Sequence, residues 1–153
     1  MIKRIKYKGI GKPVNSVSGN IGRRITSDYN NEILEGQVQG KKASQYEERW
    51  FRAVSKIKTV EESYFRVPVG AGRGNPGWKE LDALHKWNGV YYAFEIDTEF
   101  THRQKQNADV LHDAIVLNEL NYLGVYPKVF HIDGERELAN QNDATATAGK
   151  YFS

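Results

Sequence analysis

Residues 79–100 read KELDALHKWNGVYYAFEIDTEF, with an Asn-Gly pair at 88–89 between two β-like runs. That pair is the strongest short-range signal for a two-residue hairpin turn. A two-residue loop fixes the register, so Trp87 faces Val90, Lys86 faces Tyr91, Asp82 faces Glu95 and Glu80 faces Asp97. Side chains alternate between faces with a period of two, which sends all four carboxylates to one side. Leu81 and Ala83, against Ile96 and Phe94, form a core face on the other side. Like charges directly opposite each other destabilise a sheet, and crowded carboxylates force one of them to take up a proton. A hard cation reverses that penalty: Mg²⁺ takes oxygen ligands, usually one or two carboxylates with waters and a phosphate. The alternative is a solvent-facing, acid-rich hairpin whose charges are paired with lysines.

Outward from the hairpin, SQYEERWFRAVSKIK (44–58) places Tyr46, Trp50, Ala53, Val54 and Ile57 on one helical face, with Ser44 as N-cap. SYFRVPV (63–69) is expected to be a strand and GAGRGNPG (70–77) a loop; the loop does not fit a dinucleotide-binding fingerprint, since no helical pattern follows it. After Thr101, a helix is expected over 102–123, with a polar stripe of His102, Gln106, Asp109 and Asp113 and apolar residues over most of its remaining surface, so that it is mostly buried. Gly124 ends it, and VYPKVFHI (125–132) reads as a buried strand. A turn at Asp133-Gly134 and a short helix ERELAN follow; the tail QNDATATAGKYFS reads as loose apart from its terminal aromatics. This order predicts one α/β domain with a mixed central sheet over residues 43–153, preceded by a basic N-terminal arm over 1–42.

The formal net charge of +3 is unevenly spread. Residues 1–42 hold Lys3, Arg4, Lys6, Lys8, Lys12, Arg23, Arg24, Lys41 and Lys42 against only Asp28, Glu32 and Glu35. A basic leading segment before an acidic body suits a phosphate-binding arm or a solubilising tail. No apolar run reaches the roughly 18 residues of a membrane span, and MIKRIKYKGIGK lacks a signal-peptide core. The chain has no cysteine, which excludes disulfides and thiolate metal sites and fits a reducing, cytoplasmic setting in a bacterium or a phage-infected host.

The strings ASQYEERWFRAV, YFRVPVG, ELDAL, FEIDTEFTH and DVLHDAIVLNELNYLGVYPKVFHID, in this order over about residues 43–133, together resemble the PD-(D/E)XK restriction-endonuclease-like superfamily, in particular its very-short-patch-repair-endonuclease-like branch. The resemblance implies a restriction-endonuclease-like core in which Asp82 is the central metal-bridging acid, Glu95 the second ligand and Glu47 the helix acid. Ser44-x-x-Glu47 is also a capping box, and the two roles are compatible. His102 matches the family's His after Glu-x-Asp. Asp97 stands where the family pattern usually has Lys; it is expected to be a third ligand, with Lys105 or His102 supplying the missing function, or else to mark an inactive site. Arg66, Arg73 and Arg103 are candidate phosphate contacts alongside Arg23, Arg24, Lys41 and Lys42.

The expected activity is that of a Mg²⁺- or Mn²⁺-dependent DNA endonuclease acting through activated water, as a homodimer on duplex DNA or as a nicking monomer. A four-way-junction resolvase with the same chemistry, and a non-catalytic DNA-binding or assembly protein that kept the fold, are the alternatives.

Overall fold

The structure is a computed structural model that describes residues 31–69, 79–98 and 111–153 of the 153-residue chain. The residues over 33–42, inside the segment read as an arm, form a small antiparallel meander of β1 (Ile33–Leu34), β2 (Gln37–Val38) and β3 (Lys41–Lys42). Its turns need left-handed backbone, supplied by Gly36 and by Gln39-Gly40, all with positive φ. Helix α1 (Gln45–Ser55) follows, with the Ser44–Glu47 capping box formed in both directions and Trp50, Phe51, Ala53 and Val54 buried.

A four-stranded sheet is the centre of the fold. Its order is β4 (Val60–Val69), β5 (Lys79–Trp87), β6 (Val90–Asp97), β7 (Val125–Asp133), antiparallel except for the parallel β6–β7 pair. The hairpin has the expected register, from Trp87↔Val90 to Ala83↔Phe94, and both turn residues have positive φ, Asn88 at 53° and Gly89 at 78°. Helix α2 (residues 111–119) and a 3₁₀ turn (Asn121–Leu123) lead through left-handed Gly124 into β7. The short α3 (Gly134–Glu137) and α4 (Gln141–Tyr151) close the chain. The protein is thus a mixed α/β fold with helices against the sheet. Among the described residues no helix is long and apolar enough to cross a membrane.

Two apolar clusters result. One joins α1, α4 and the meander to Phe65, Ala83, Phe94 and Ile132; the other joins α2 to Tyr64, Leu84, Ala93 and Val129. Three expectations are corrected. The tail is not loose: Asn140 caps α4, whose small residues Ala144, Thr147 and Ala148 let it pack closely, and Phe152 is buried. Helix α2 is not apolar on most of its circumference in the way expected: Leu111 is 64% exposed, and the buried residues are Val116, Glu119 and Leu120. Leu81 leaves the Ala83 face for the opposite cluster, together with its β4 partner Val67. Between the pairs Phe65↔Ala83 and Val67↔Leu81 stands Arg66, opposite Asp82, with φ at 55°. Left-handed backbone inside a strand turns the chain locally, so consecutive pairs belong to different cores.

The edge of β4 is covered by side chains. Gln39 Nε2 donates to the Ser63 carbonyl (2.6 Å) while Gln39 Oε1 accepts from Phe65 N–H (2.9 Å), an imitation of one step of a β-ladder. Lys41 Nζ donates to the carbonyls of Phe65 (2.9 Å) and Arg66 (3.1 Å), holding the turned segment. A polar knot lies in the first core. Trp50 Nε1–H donates to His85 Nε2 at 2.9 Å, which leaves the imidazole proton on Nδ1 to donate to Ser63 Oγ at 2.8 Å. Both partners suit a neutral ring, and complete burial drives the His85 pKa down to about 3.

A folded pKa below the unfolded value of 6.5 means that this stabilisation is complete above pH 6.5 and is lost as pH falls towards 3. Urea titrations of wild type and His85→Phe test this. The wild-type advantage, which reflects the bonds from Trp50 and Ser63, should shrink by up to about 1.4 kcal/mol per pH unit below the unfolded pKa. A difference that stays constant with pH would mean His85 is not buried neutral.

Candidate active site

The β5–β6 ladder pairs Ala83 with Phe94, and one step beyond it side chains take over from backbone. Asp82 Oδ2 accepts from Ile96 N–H at 2.8 Å, and the Glu95 carboxyl accepts from Asp82 N–H. The register from Asn88-Gly89 continues to make the two carboxyl groups close neighbours, and each acts on the other's ionisation. Both are pushed well above the ordinary carboxylate range. Burial is the main cause for each, and the negative charge of the partner is the next for Glu95. Asp82 is raised further by Glu47 and Asp97, and opposed by its bond from Ile96 N–H. Glu47 therefore stands close enough to act on the pair while its Oε1 accepts from Ser44 N–H at 2.8 Å. Capping and a place at the site coexist in one side chain.

Glu95 Oε2 is buried with no hydrogen-bond partner. An orphaned carboxylate oxygen is costly and calls for an explanation such as an ion. Among the described residues, no group of three or more His, Asp or Glu side chains is arranged to hold a metal ion. Two carboxylates with a free oxygen are nonetheless the usual protein share of a Mg²⁺ shell, the rest being water and phosphate. The donor set fits a hard cation bound jointly with a phosphate better than a closed protein cage.

Asp97 carries a hydrogen-bonded histidine. Its Oδ2 lies 2.8 Å from His131 Nδ1, and His131 Nε2 lies 2.6 Å from Asp113 Oδ2. With a carboxylate at each nitrogen the ring donates twice, and the bond to Asp97 leads in raising its pKa to about 9 against the cost of burial. Near neutral pH, Asp97–His131–Asp113 is thus a relay with an imidazolium at its centre. Asp113 Oδ1 is the second buried orphan, with His112 Nδ1 3.7 Å away. Gly134 lets this end of β6 pack closely, since a Cβ there would stand 3.0 Å from Cγ of Tyr46 and 3.2 Å from the Asp97 carbonyl oxygen.

The structure therefore makes neighbours of Asp82 and Glu95, with Glu47 and Asp97 near enough to act on Asp82 electrostatically. Arg66 lies opposite Asp82 in register, with its guanidinium 5.4 Å from the centroid of the Phe65 ring. Lys41 is committed to the carbonyls of Phe65 and Arg66, and Lys42 is exposed. Arg23, Arg24, Arg73, His102, Arg103 and Lys105 lie outside the described residues. Sequence reasoning missed His131, which sat inside an apolar strand, and used Asp113 only as part of a polar stripe. The link between them depends on the parallel register Glu95↔His131, set across a long connection rather than by a turn. No protein-family model, curated protein or solved structure matches the chain.

Glu95→Gln tests the state of the acid pair. A raised folded pKa stabilises only below the unfolded pKa and is progressively lost as pH rises, so the neutral isostere should be the more stable protein at about pH 8 and lose that advantage near about pH 5. Chemical denaturation without metal measures both. A variant no more stable than wild type at the higher pH would show that the pair is not strained.

Proposed function

We propose that the protein is a metal-dependent DNA endonuclease with a restriction-endonuclease-like core. The observation that carries this reading is the buried Asp82–Glu95 pair, with one oxygen left unpartnered. Asp82 and Glu95 would hold a Mg²⁺ or Mn²⁺ ion, with Glu47 adding negative charge beside them. A divalent ion so placed neutralises phosphate charge and supplies a strong nucleophile from water at neutral pH.

The chain's own groups do the rest. Ile96 N–H fixes the Asp82 carboxylate and Asp82 N–H fixes that of Glu95, so neither needs to reorganise when the site is charged. Asp97, at the usual lysine position, does not carry the cation itself but anchors His131, whose imidazolium brings positive charge to that end of the site. Arg66, which falls between the pairs Phe65↔Ala83 and Val67↔Leu81, is a candidate phosphate contact. Its left-handed backbone is a local cost of the kind that collects at functional sites, and Lys41 holds it from the meander.

Supercoiled plasmid tests this directly. With Mg²⁺ or Mn²⁺ the wild-type chain should nick it. Asp82→Asn, which keeps an acceptor for Ile96 N–H, should fold normally by circular dichroism and lose more than the roughly 10–100-fold typical of an outer-shell change. Absence of nicking with either metal, or full activity in Asp82→Asn, would defeat the reading. Salt-sensitive DNA binding without divalent-metal binding would instead favour a non-catalytic DNA-binding protein, and strong preference for a four-way junction a resolvase.

A further inference from the structure

The parallel β6–β7 pairing is interrupted once. Tyr91 pairs with Val125, but Ala93 pairs with Val129, so β7 carries two extra residues at this point. In a regular strand, Tyr126 and Phe130 would stand about 13 Å apart at ~3.3 Å per residue. Here their ring centroids are 5.8 Å apart with planes 19° from parallel, and Tyr126 also stacks on Tyr92 at 5.3 Å and 25°. Lys128, exposed within the same bulge, holds its Nζ 5.1 Å from the centroid of Phe130. The result is a cluster at the outer strand of the sheet in which Tyr126, 43% exposed, lies near-parallel to Phe130 and to Tyr92, the latter two tilted 38° to each other, beside a lysine. The sheet does not need this for its core: Phe130 and Tyr92 already pack against Tyr151 and Phe152, whereas Tyr126 faces solvent.

We propose that Tyr126, Phe130 and Tyr92 with Lys128 form a platform for an unpaired stretch of nucleic acid, a base stacking on Tyr126 and a backbone phosphate meeting Lys128. Aromatic faces stack on bases without regard to sequence, and a neighbouring cation tracks the phosphate. Tyr126, 43% exposed, presents ring surface to solvent beside the exposed Lys128, the pairing of an aromatic face with a cation that suits a base and its phosphate. Position supports the assignment. Tyr92 lies five residues from Asp97 along β6, about 17 Å at ~3.4 Å per residue, and on the opposite face. The choice of ligand rests on the reading of the protein as one that handles DNA; the platform itself is tested without cleavage.

The measurement is fluorescence anisotropy of a short labelled oligothymidylate with the full chain in EDTA, against an abasic oligonucleotide of equal length. Tyr126→Leu, which keeps apolar bulk and removes the ring, should raise Kd on the order of tenfold, and Tyr126→Trp should hold or lower it. The abasic strand should bind wild type more weakly by a similar factor and be insensitive to Tyr126→Leu. Lys128→Gln should reduce the slope of log K on log salt by about 0.7. Equal binding of the two oligonucleotides, an unchanged Kd in Tyr126→Leu, or dissociation of a wild-type dimer by that variant would each overturn the platform. Plasmid nicking in Tyr126→Leu separates the two readings: normal nicking with unchanged oligothymidylate binding rejects the platform alone, while tyrosine-dependent binding in a chain that never nicks rejects the nuclease alone.

Discussion

Two buried carboxyl groups with raised pKa values stand where strands β5 and β6 stop exchanging backbone hydrogen bonds, and much of the sheet is arranged around that point. Asn88-Gly89 sets the register that makes Asp82 and Glu95 neighbours. Past Ala83↔Phe94 each carboxyl accepts a backbone N–H of the opposing strand, which keeps the two strands together after their ladder ends. On the other flank Arg66 adopts left-handed backbone opposite Asp82, and the core faces exchange there: Phe65 and Ala83 go to one cluster, Val67 and Leu81 to the other. The twist concentrates at one step, which also gives the carboxyls burial without placing them inside either cluster.

The two described histidines on the sheet's strands show how neighbours decide a side chain's charge. His85 and His131 both lie on strands beside apolar residues. His85 meets an indole N–H and a hydroxyl, neither of which favours a cation, and complete burial holds it neutral. His131 meets Asp97 and Asp113 and is held charged. Their effects on stability therefore run in opposite directions with pH: the first contribution fades on acidification below the unfolded pKa, the second as pH rises towards 9. One ring locks α1 to the sheet on one face. The other locks α2 to the end of β6 on the opposite face, beside the acid pair.

What was legible in the sequence was whatever local chemistry fixes. The hairpin register followed from a turn that only residues tolerant of positive φ can make. Helix α1 followed from a 3.6-residue period and a capping box; the register placed Asp82 beside Glu95, whereas Glu47 was tied to them only by the family resemblance. The meander over 33–42 was hidden because strands of two residues carry no period; its signals were the glycines at Gly36 and Gly40. Helix α4 was hidden because its buried residues are small and mixed with threonine, leaving the Asn140 cap as the main clue. His131 was hidden for a deeper reason: parallel pairing joins strands separated by a helix, so no turn records its register. The exposure of Leu111 has the same origin, since the buried face of α2 is set by Asp113 reaching His131 as well as by the apolar pattern.

The backbone bonds at the site do not require negative charge. An asparagine at 82 would accept from Ile96 N–H as an aspartate does, and a glutamine at 95 would accept from Asp82 N–H without raising the energy of a neighbour. The chain instead carries a buried Glu95 whose ionisation Asp82 opposes, a third acid at the start of α1 that raises Asp82, an oxygen with no partner, and an arginine in a backbone conformation better suited to glycine. A domain of this size has only about 5–15 kcal/mol of net stability, so several such costs within one step of a sheet are not neutral for folding. The electrostatic costs among these, the raised carboxyl groups and the orphaned oxygen, are of the kind that added positive charge lowers; the backbone of Arg66 is not among them. On the reading proposed above, the acid pair is half of a charge arrangement whose other half is a cation.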